Sequence, residues 1–187
     1  IDMYRGLAQS ENVVALRVAQ DIGLDRVVEM AQRMGVRSKL TLSPGLVLGE
    51  SEAKVLEMTG AYATFANQGM WNRPHAINRI LDGNDCQDDR HLETCRAIYV
   101  FKDDAISHNQ SAISDRVAHK MTEMMENVVI DGTGKAANIG TTVAGKTGTT
   151  DSNVDLWFIG YLPDRSLVTG VWLGNDNNKP TWGSSSQ

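Results

Sequence analysis

Val143-Ala144-Gly145-Lys146-Thr147-Gly148-Thr149-Thr150, followed after a short polar break by the apolar run 156–162, decides how this chain is read. The pattern predicts strands at about 143–149, 155–162 and 166–174, the last two joined by Pro163-Asp164-Arg165. A lysine, a hydroxyl and a glycine in succession on a strand can hold a carboxylate, and the glycine leaves the strand edge bare for another backbone. That combination suits acyl transfer on a peptide.

The same stretch, from Gly140 to Thr147, also fits the phosphate-loop pattern letter for letter. A phosphate loop needs a helix directly after it, because the helix N-terminus supplies the N–H groups that bind phosphate. Here Gly148, Thr149, Thr150, Asp151, Ser152 and Asn153 lead into another strand, and no parallel-sheet alternation surrounds them. The context argues against nucleotide binding.

Upstream the chain reads as helical. Val14, Val18 and Ile22 are spaced by four over 12–22, with Gly23 as a stop, so Ser10 is expected at a helix start. A second helix is predicted over about 25–34, a loop over 36–50, and a third helix over about 52–68 with Val55, Met58, Tyr62 and Phe65 on its core face. Two short strands, 76–81 and 97–101, frame a polar stretch holding both cysteines and form a hairpin. Ser114 is expected to cap a helix whose Val117, Met121, Met124, Met125 and Val128 form one apolar stripe, broken by Gly132-Thr133-Gly134. Three antiparallel strands after several helices give an α+β domain, an antiparallel β-sheet packed with helices.

Composition bounds the function. The 187 residues suit one domain, and 41% apolar residues can build its core. The net charge is −5 without a basic stripe, which argues against nucleic acid and anionic membrane surfaces as partners. The longest strongly apolar run, about seven residues around Trp157 and Phe158, is far below the roughly 20 that span a bilayer. No metal or organic cofactor is implied. The chain begins inside a helical pattern and ends in Gly183-Ser184-Ser185-Ser186-Gln187, so it reads as a piece of something longer with a flexible tail over 175–187. Cys86 and Cys95 are either free thiols or a disulfide closing a short loop, and the residues alone leave this open.

Ser51-Glu52-Ala53-Lys54 matches Ser-x-x-Lys, a nucleophile motif of penicillin-interacting enzymes. One such match is close to what chance gives for this composition, and the favoured reading is a serine near a helix N-terminus, with Glu50 and Glu52 suited to the helix dipole.

Read together, the segments resemble the transpeptidase domain of class A penicillin-binding proteins. The resemblance runs through Ser10-Glu11-Asn12-Val13, Gly49 with Glu52, Leu56-Glu57-Met58, and Ala61-Tyr62-Ala63-Thr64-Phe65-Ala66-Asn67 with Gly69. It continues through 124–129 with Gly132-Thr133-Gly134, then Lys146-Thr147-Gly148-Thr149-Thr150, Asp155, Trp157-Phe158, Gly160-Tyr161, Pro163-Asp164 and Val171-Trp172. About three quarters of the chain is covered, in order, and the loop around the cysteines lies outside it.

The resemblance implies the penicillin-binding protein and serine β-lactamase-like transpeptidase fold, incomplete at both ends. It implies that Ser10, Asn12 and Lys146 are catalytic and that Thr147, Gly148 and Thr149 bind substrate. Lys146 would supply positive charge to the donor carboxylate and to the Ser10 hydroxyl; Thr147 and Thr149 would hydrogen-bond the carboxylate. The Thr149 N–H would be an oxyanion donor, Ser10 a proton relay, and Asn12 a ligand of the substrate's peptide amide. The implied partners are peptidoglycan stem peptides, β-lactams and the N-terminal part of the same domain, at the outer face of the cytoplasmic membrane, with a membrane-anchored parent. In that compartment Cys86 and Cys95 are expected to be bonded. The family's own Ser-x-x-Lys is expected ahead of Ser10, so this chain alone should not form an acyl-enzyme. Two other readings use the same motifs: a β-lactamase-like hydrolase with Glu50 or Glu52 as base, and a non-catalytic penicillin-sensing or interaction module.

Overall fold

The computed structural model describes residues 2–88, 90–104 and 109–181. In chain order, α1 (Met3–Ala8), α2 (Asn12–Ile22) and α3 (Leu24–Arg33) lead through a 3₁₀ turn at Pro44–Leu48 to α4 (Val55–Ala66). Then come β1 (Met70–Trp71), β2 (Arg79–Cys86), β3 (Cys95–Val100), β4 (Gln110–Ser111) and α5 (Asp115–Ile130). The chain ends its regular structure with β5 (Ala144–Thr149), β6 (Asp155–Leu162) and β7 (Leu167–Gly174). The fold is α+β, with antiparallel sheets packed against helices.

The β5-β6-β7 sheet is antiparallel, with Lys146 opposite Ile159 and Trp157 opposite Trp172. Its helical side is sealed by α4 and α5. Met125, Ala144 and Tyr161 are buried together, with Leu7, Tyr62, Phe65, Met121 and Val168 packed on them. Tyr161 is a phenol in this core, and its hydroxyl meets Thr122 Oγ1 at 2.7 Å, which satisfies a group that would otherwise be costly to bury. Gly170 lies directly under α4, where any Cβ would fall 1.9 Å from Thr59 Oγ1. Phe65 belongs to a second core as well, formed by Met34, Val36, Ala61, Trp71 and Ala112, so α4 ties the sheet to α3.

Several expectations shift. The third helix begins at Val55 with Lys54 as its N-cap, three residues later than predicted, because 51–54 are extended or looped. The hairpin strands are displaced from the apolar runs: β2 begins at Arg79 rather than 76, both strands run to the cysteines, and the register shifts between Leu81 and Cys86. Cys86 and Cys95 stand opposite each other and are disulfide-bonded. Val117, placed on the α5 core stripe, is 47% exposed, since the first turn of that helix extends beyond the core. Within the expected tail, Asn175 Nδ2 donates to Lys179 O, and Thr181 N and Oγ1 both donate to Asn153 O. Residues 182–187 lie outside the described residues.

Candidate active site

Ser10 does not cap a helix. It closes α1: Ser10 N donates to Leu7 O and Glu11 N donates to Gly6 O, the pair of bonds that ends a helix through a left-handed residue. Ser10 is that residue, with φ 56°, a place usually taken by glycine or asparagine. A serine held there costs about 1–2 kcal/mol relative to an ordinary conformation, so the surrounding structure must fix it. Gly6 brings α2 close, since a Cβ there would fall 2.7 Å from Val14 Cγ1. Glu11 becomes the N-cap of α2, and Asn12 opens that helix, exposed on its first turn.

Lys146 reaches this turn from the sheet. Ala144 faces the helical core, and residues two apart on a strand share a face, so Lys146 points to the same side. Its Nζ donates to Ser10 Oγ at 2.8 Å and to Thr147 O at 3.0 Å. Burial pulls the ammonium down to about 8, since the strand sits deep enough to strip part of its water. A cation poised near neutrality against a serine hydroxyl can stabilise developing negative charge or trade a proton with that hydroxyl.

Thr147 is buried, and its Oγ1 lies 2.6 Å from Thr133 Oγ1 in the turn after α5. The sequence presents Thr133 as part of a helix break and of the family resemblance, without a site role. The three-residue Gly132-Thr133-Gly134 signal was visible, but nothing local ties it to a strand 14 residues on. At Gly148 a Cβ would meet only Trp157 Cβ at 3.4 Å, an ordinary contact, so the chain itself does not demand glycine there. At Gly145 it does: a Cβ would fall 2.8 Å from Phe158 Cζ and 2.9 Å from Ile159 O. Thr149 ends β5, exposed, and beyond β6 this strand has no further partner among the described residues. Ser10, Lys146 and Thr147 are thus brought to one place, with Gly148 and Thr149 continuing along the strand and Asn12 two residues past Ser10.

The rival motifs lie in other environments. Ser51 Oγ accepts from Thr41 N, and Lys54 pairs with Glu57 at 3.9 Å. Glu50 accepts from Ser43 Oγ at 2.6 Å, and Glu52 is exposed. Ser51 stands ahead of the Lys54 N-cap rather than on the helix, which corrects the helix-start explanation. The second half of the phosphate-loop match lies on β5, which runs through Lys146 and Thr147 to Thr149 and then, after a 3₁₀ turn, leads into β6 without the required α-helix. Among the described residues no group of three or more His, Cys, Asp or Glu side chains converges as a metal site would require. No described helix is long and apolar enough to cross a membrane.

The chain as a whole has counterparts among known proteins. The family model for the penicillin binding protein transpeptidase domain matches residues 1–187, and the chain belongs to that family. It is similar to penicillin-binding protein 1A of Rickettsia bellii, 33% identical over 94% of this chain and 23% of that protein. It is also similar to penicillin-binding protein 1A of Neisseria gonorrhoeae, 36% identical over 96% of this chain and 21% of that protein. The chain therefore spans between a fifth and a quarter of the length of these relatives. Among solved structures, penicillin-binding protein 1A from Haemophilus influenzae superposes with a TM-score of 0.80 at 26% identity, over 100% of this chain and 32% of that one. PonA1 from Mycobacterium tuberculosis follows at 0.78 and 25% identity, over 95% and 48%.

Proposed function

We propose that this chain is the C-terminal portion of one D,D-transpeptidase domain that cross-links peptidoglycan stem peptides and is acylated by penicillins. The observation that carries the proposal is the 2.8 Å hydrogen bond from Lys146 Nζ to Ser10 Oγ, in a family member that presents the Lys146-Thr147-Gly148 strand beside it. In this reading a serine nucleophile, belonging to a Ser-x-x-Lys ahead of Ser10, attacks the carbonyl between two D-alanines. A serine O–C bond forms, the peptide C–N bond breaks, and D-alanine leaves after taking a proton relayed through Ser10. An amine of a neighbouring stem peptide then attacks the ester; the new amide forms, the ester bond breaks, and the nucleophile regains its proton.

The remaining residues take roles that fit their places. Lys146 holds positive charge near the donor carboxylate and keeps the Ser10 hydroxyl polarised. Thr147 and Thr149 hydrogen-bond the carboxylate, and Gly148 leaves room for the substrate backbone to lie along β5. The Thr149 N–H faces the developing oxyanion, and Asn12 binds the peptide amide. The family and the Cys86–Cys95 disulfide support an extracytoplasmic site of action, in a parent anchored at the periplasmic face of the cytoplasmic membrane.

The test is a donor peptide ending in D-alanyl-D-alanine, incubated with an amine acceptor and the full-length polypeptide that carries this chain. D-alanine release matched by cross-linked product is expected. Release matched only by hydrolysed donor would replace transfer with hydrolysis, and no release would overturn the proposal.

A further inference from the structure

Gly132-Thr133-Gly134 does more than end α5. Gly132 packs so closely on the end of α1 that a Cβ would fall 2.2 Å from Ala8 O and 2.8 Å from Val128 Cα. Thr133 N donates to Ala8 O at 3.0 Å, Gln9 Nε2 donates to Asp131 O at 2.8 Å, and Gly134 N donates to Val128 O at 2.9 Å. The turn is therefore locked to the backbone two residues before Ser10. From that anchored position Thr133 Oγ1 approaches Thr147 Oγ1 to 2.6 Å.

We propose that Thr133 is a positioning residue: its hydroxyl donates to Thr147 and thereby aims the single Thr147 hydroxyl hydrogen at the carboxylate of a peptide or β-lactam. The inference rests on the reading of Thr147 as a carboxylate ligand. A carboxylate only accepts, so a Thr147 hydroxyl bound to it must donate, and its contact with Thr133 then survives only with Thr133 as the donor. Thr147 is 8% exposed, so water is poorly placed to substitute for Thr133. Because the same turn grips Ala8 and Gln9, one short segment sets both the Ser10 position and the direction of the Thr147 hydroxyl.

The experiment measures acylation of the full-length polypeptide by benzylpenicillin and by its methyl ester, which lacks the carboxylate charge. Thr133→Val should slow the carboxylate form by roughly 3- to 10-fold, the range for losing one hydrogen bond, and leave the ester within about twofold. Thr133→Ser should restore the carboxylate rate. Thr147→Val with Thr133→Val should lose no more than Thr147→Val alone, because the two hydroxyls act in series. Equal slowing of both probes by Thr133→Val, additive losses in the double variant, or no slowing of either probe would overturn the inference alone. Absence of acylation of the unsubstituted protein would overturn the transpeptidase reading beneath it.

Discussion

Lys146 Nζ donates to Ser10 Oγ at 2.8 Å, joining a strand to a helix-closing turn 136 residues away. Neither partner is placed by local preference. Ser10 holds a left-handed conformation, and Lys146 is partly stripped of water, so both are unfavourable alone and are stabilised by the fold around them.

The Ser10 backbone can be separated from its hydroxyl. Ser10→Gly and Ser10→Ala both remove the Lys146 acceptor, but only glycine adopts φ 56° without steric cost. Denaturant unfolding should find the glycine variant about 1 kcal/mol more stable than the alanine variant. Acylation should fall to a similar extent in both, by roughly 10²–10⁴-fold if the hydroxyl relays a proton. Equal stability of the two variants would contradict the left-handed assignment.

Lys146 sets a pH dependence. Its ammonium titrates near 8 instead of 10.5, so the folded protein releases that proton over a pH range where the unfolded chain keeps it. Between about 8 and 10.5 the unfolded state binds more protons, and stability should therefore rise with pH from this group. Lys146→Met should remove that rise. If the cation is what catalysis needs, acylation should decline as pH passes 8. A rate that climbs through the same range would assign Lys146 the role of base.

Glycine substitutions on β5 should divide stability from function. Gly145→Ala collides with Phe158 and Ile159 and should cost about 1–3 kcal/mol in thermal or denaturant unfolding. Gly148→Ala meets only an ordinary contact and should leave stability within about 0.5 kcal/mol, while blocking substrate along the strand. Loss of stability at Gly148 comparable to that at Gly145 would remove the argument that its glycine serves a ligand.

The Cys86–Cys95 bond closes a hairpin with mostly exposed faces, where Arg96 also bridges Asp82 and Asp85. In the chain-entropy account a loop this short contributes about 2.5–3 kcal/mol. The double variant Cys86→Ser, Cys95→Ser should speed hydrogen exchange over 79–100 and leave acylation unchanged. Intact-mass measurement after alkylation without reductant should find no free thiols in secreted protein, and two alkylated cysteines would contradict the pairing.

The sequence made some of this legible and hid the rest for physical reasons. The helices over 12–22, about 25–34 and from Ser114 onward, and the strands 155–162 and 166–174, carried regular apolar periods and fall within a residue or two of their observed places. α1 was seen only as a helical pattern at the chain start, because six residues give too short a period to bound. The hairpin strands extended past their apolar runs because the disulfide and the Arg96 ion pairs replace apolar contacts there. Ser10, Asn12 and Lys146 were nameable through the family resemblance. The left-handed turn at Ser10 and the Thr133–Thr147 contact were not, since both are imposed by the packing of α1 against the turn after α5.

In the proposed function Ser10 and the Lys146-Thr147-Gly148 strand form one penicillin-reactive site. Time-resolved labelling of the full-length polypeptide by a fluorescent penicillin, with Lys146→Ala alongside, is the decisive measurement. Covalent labelling of the unsubstituted protein is expected on a serine ahead of Ser10, slowed at least roughly 10²-fold by Lys146→Ala, the scale for removing one preorganised electrostatic partner. Labelling on Ser51, or labelling at an unchanged rate in Lys146→Ala, would contradict it.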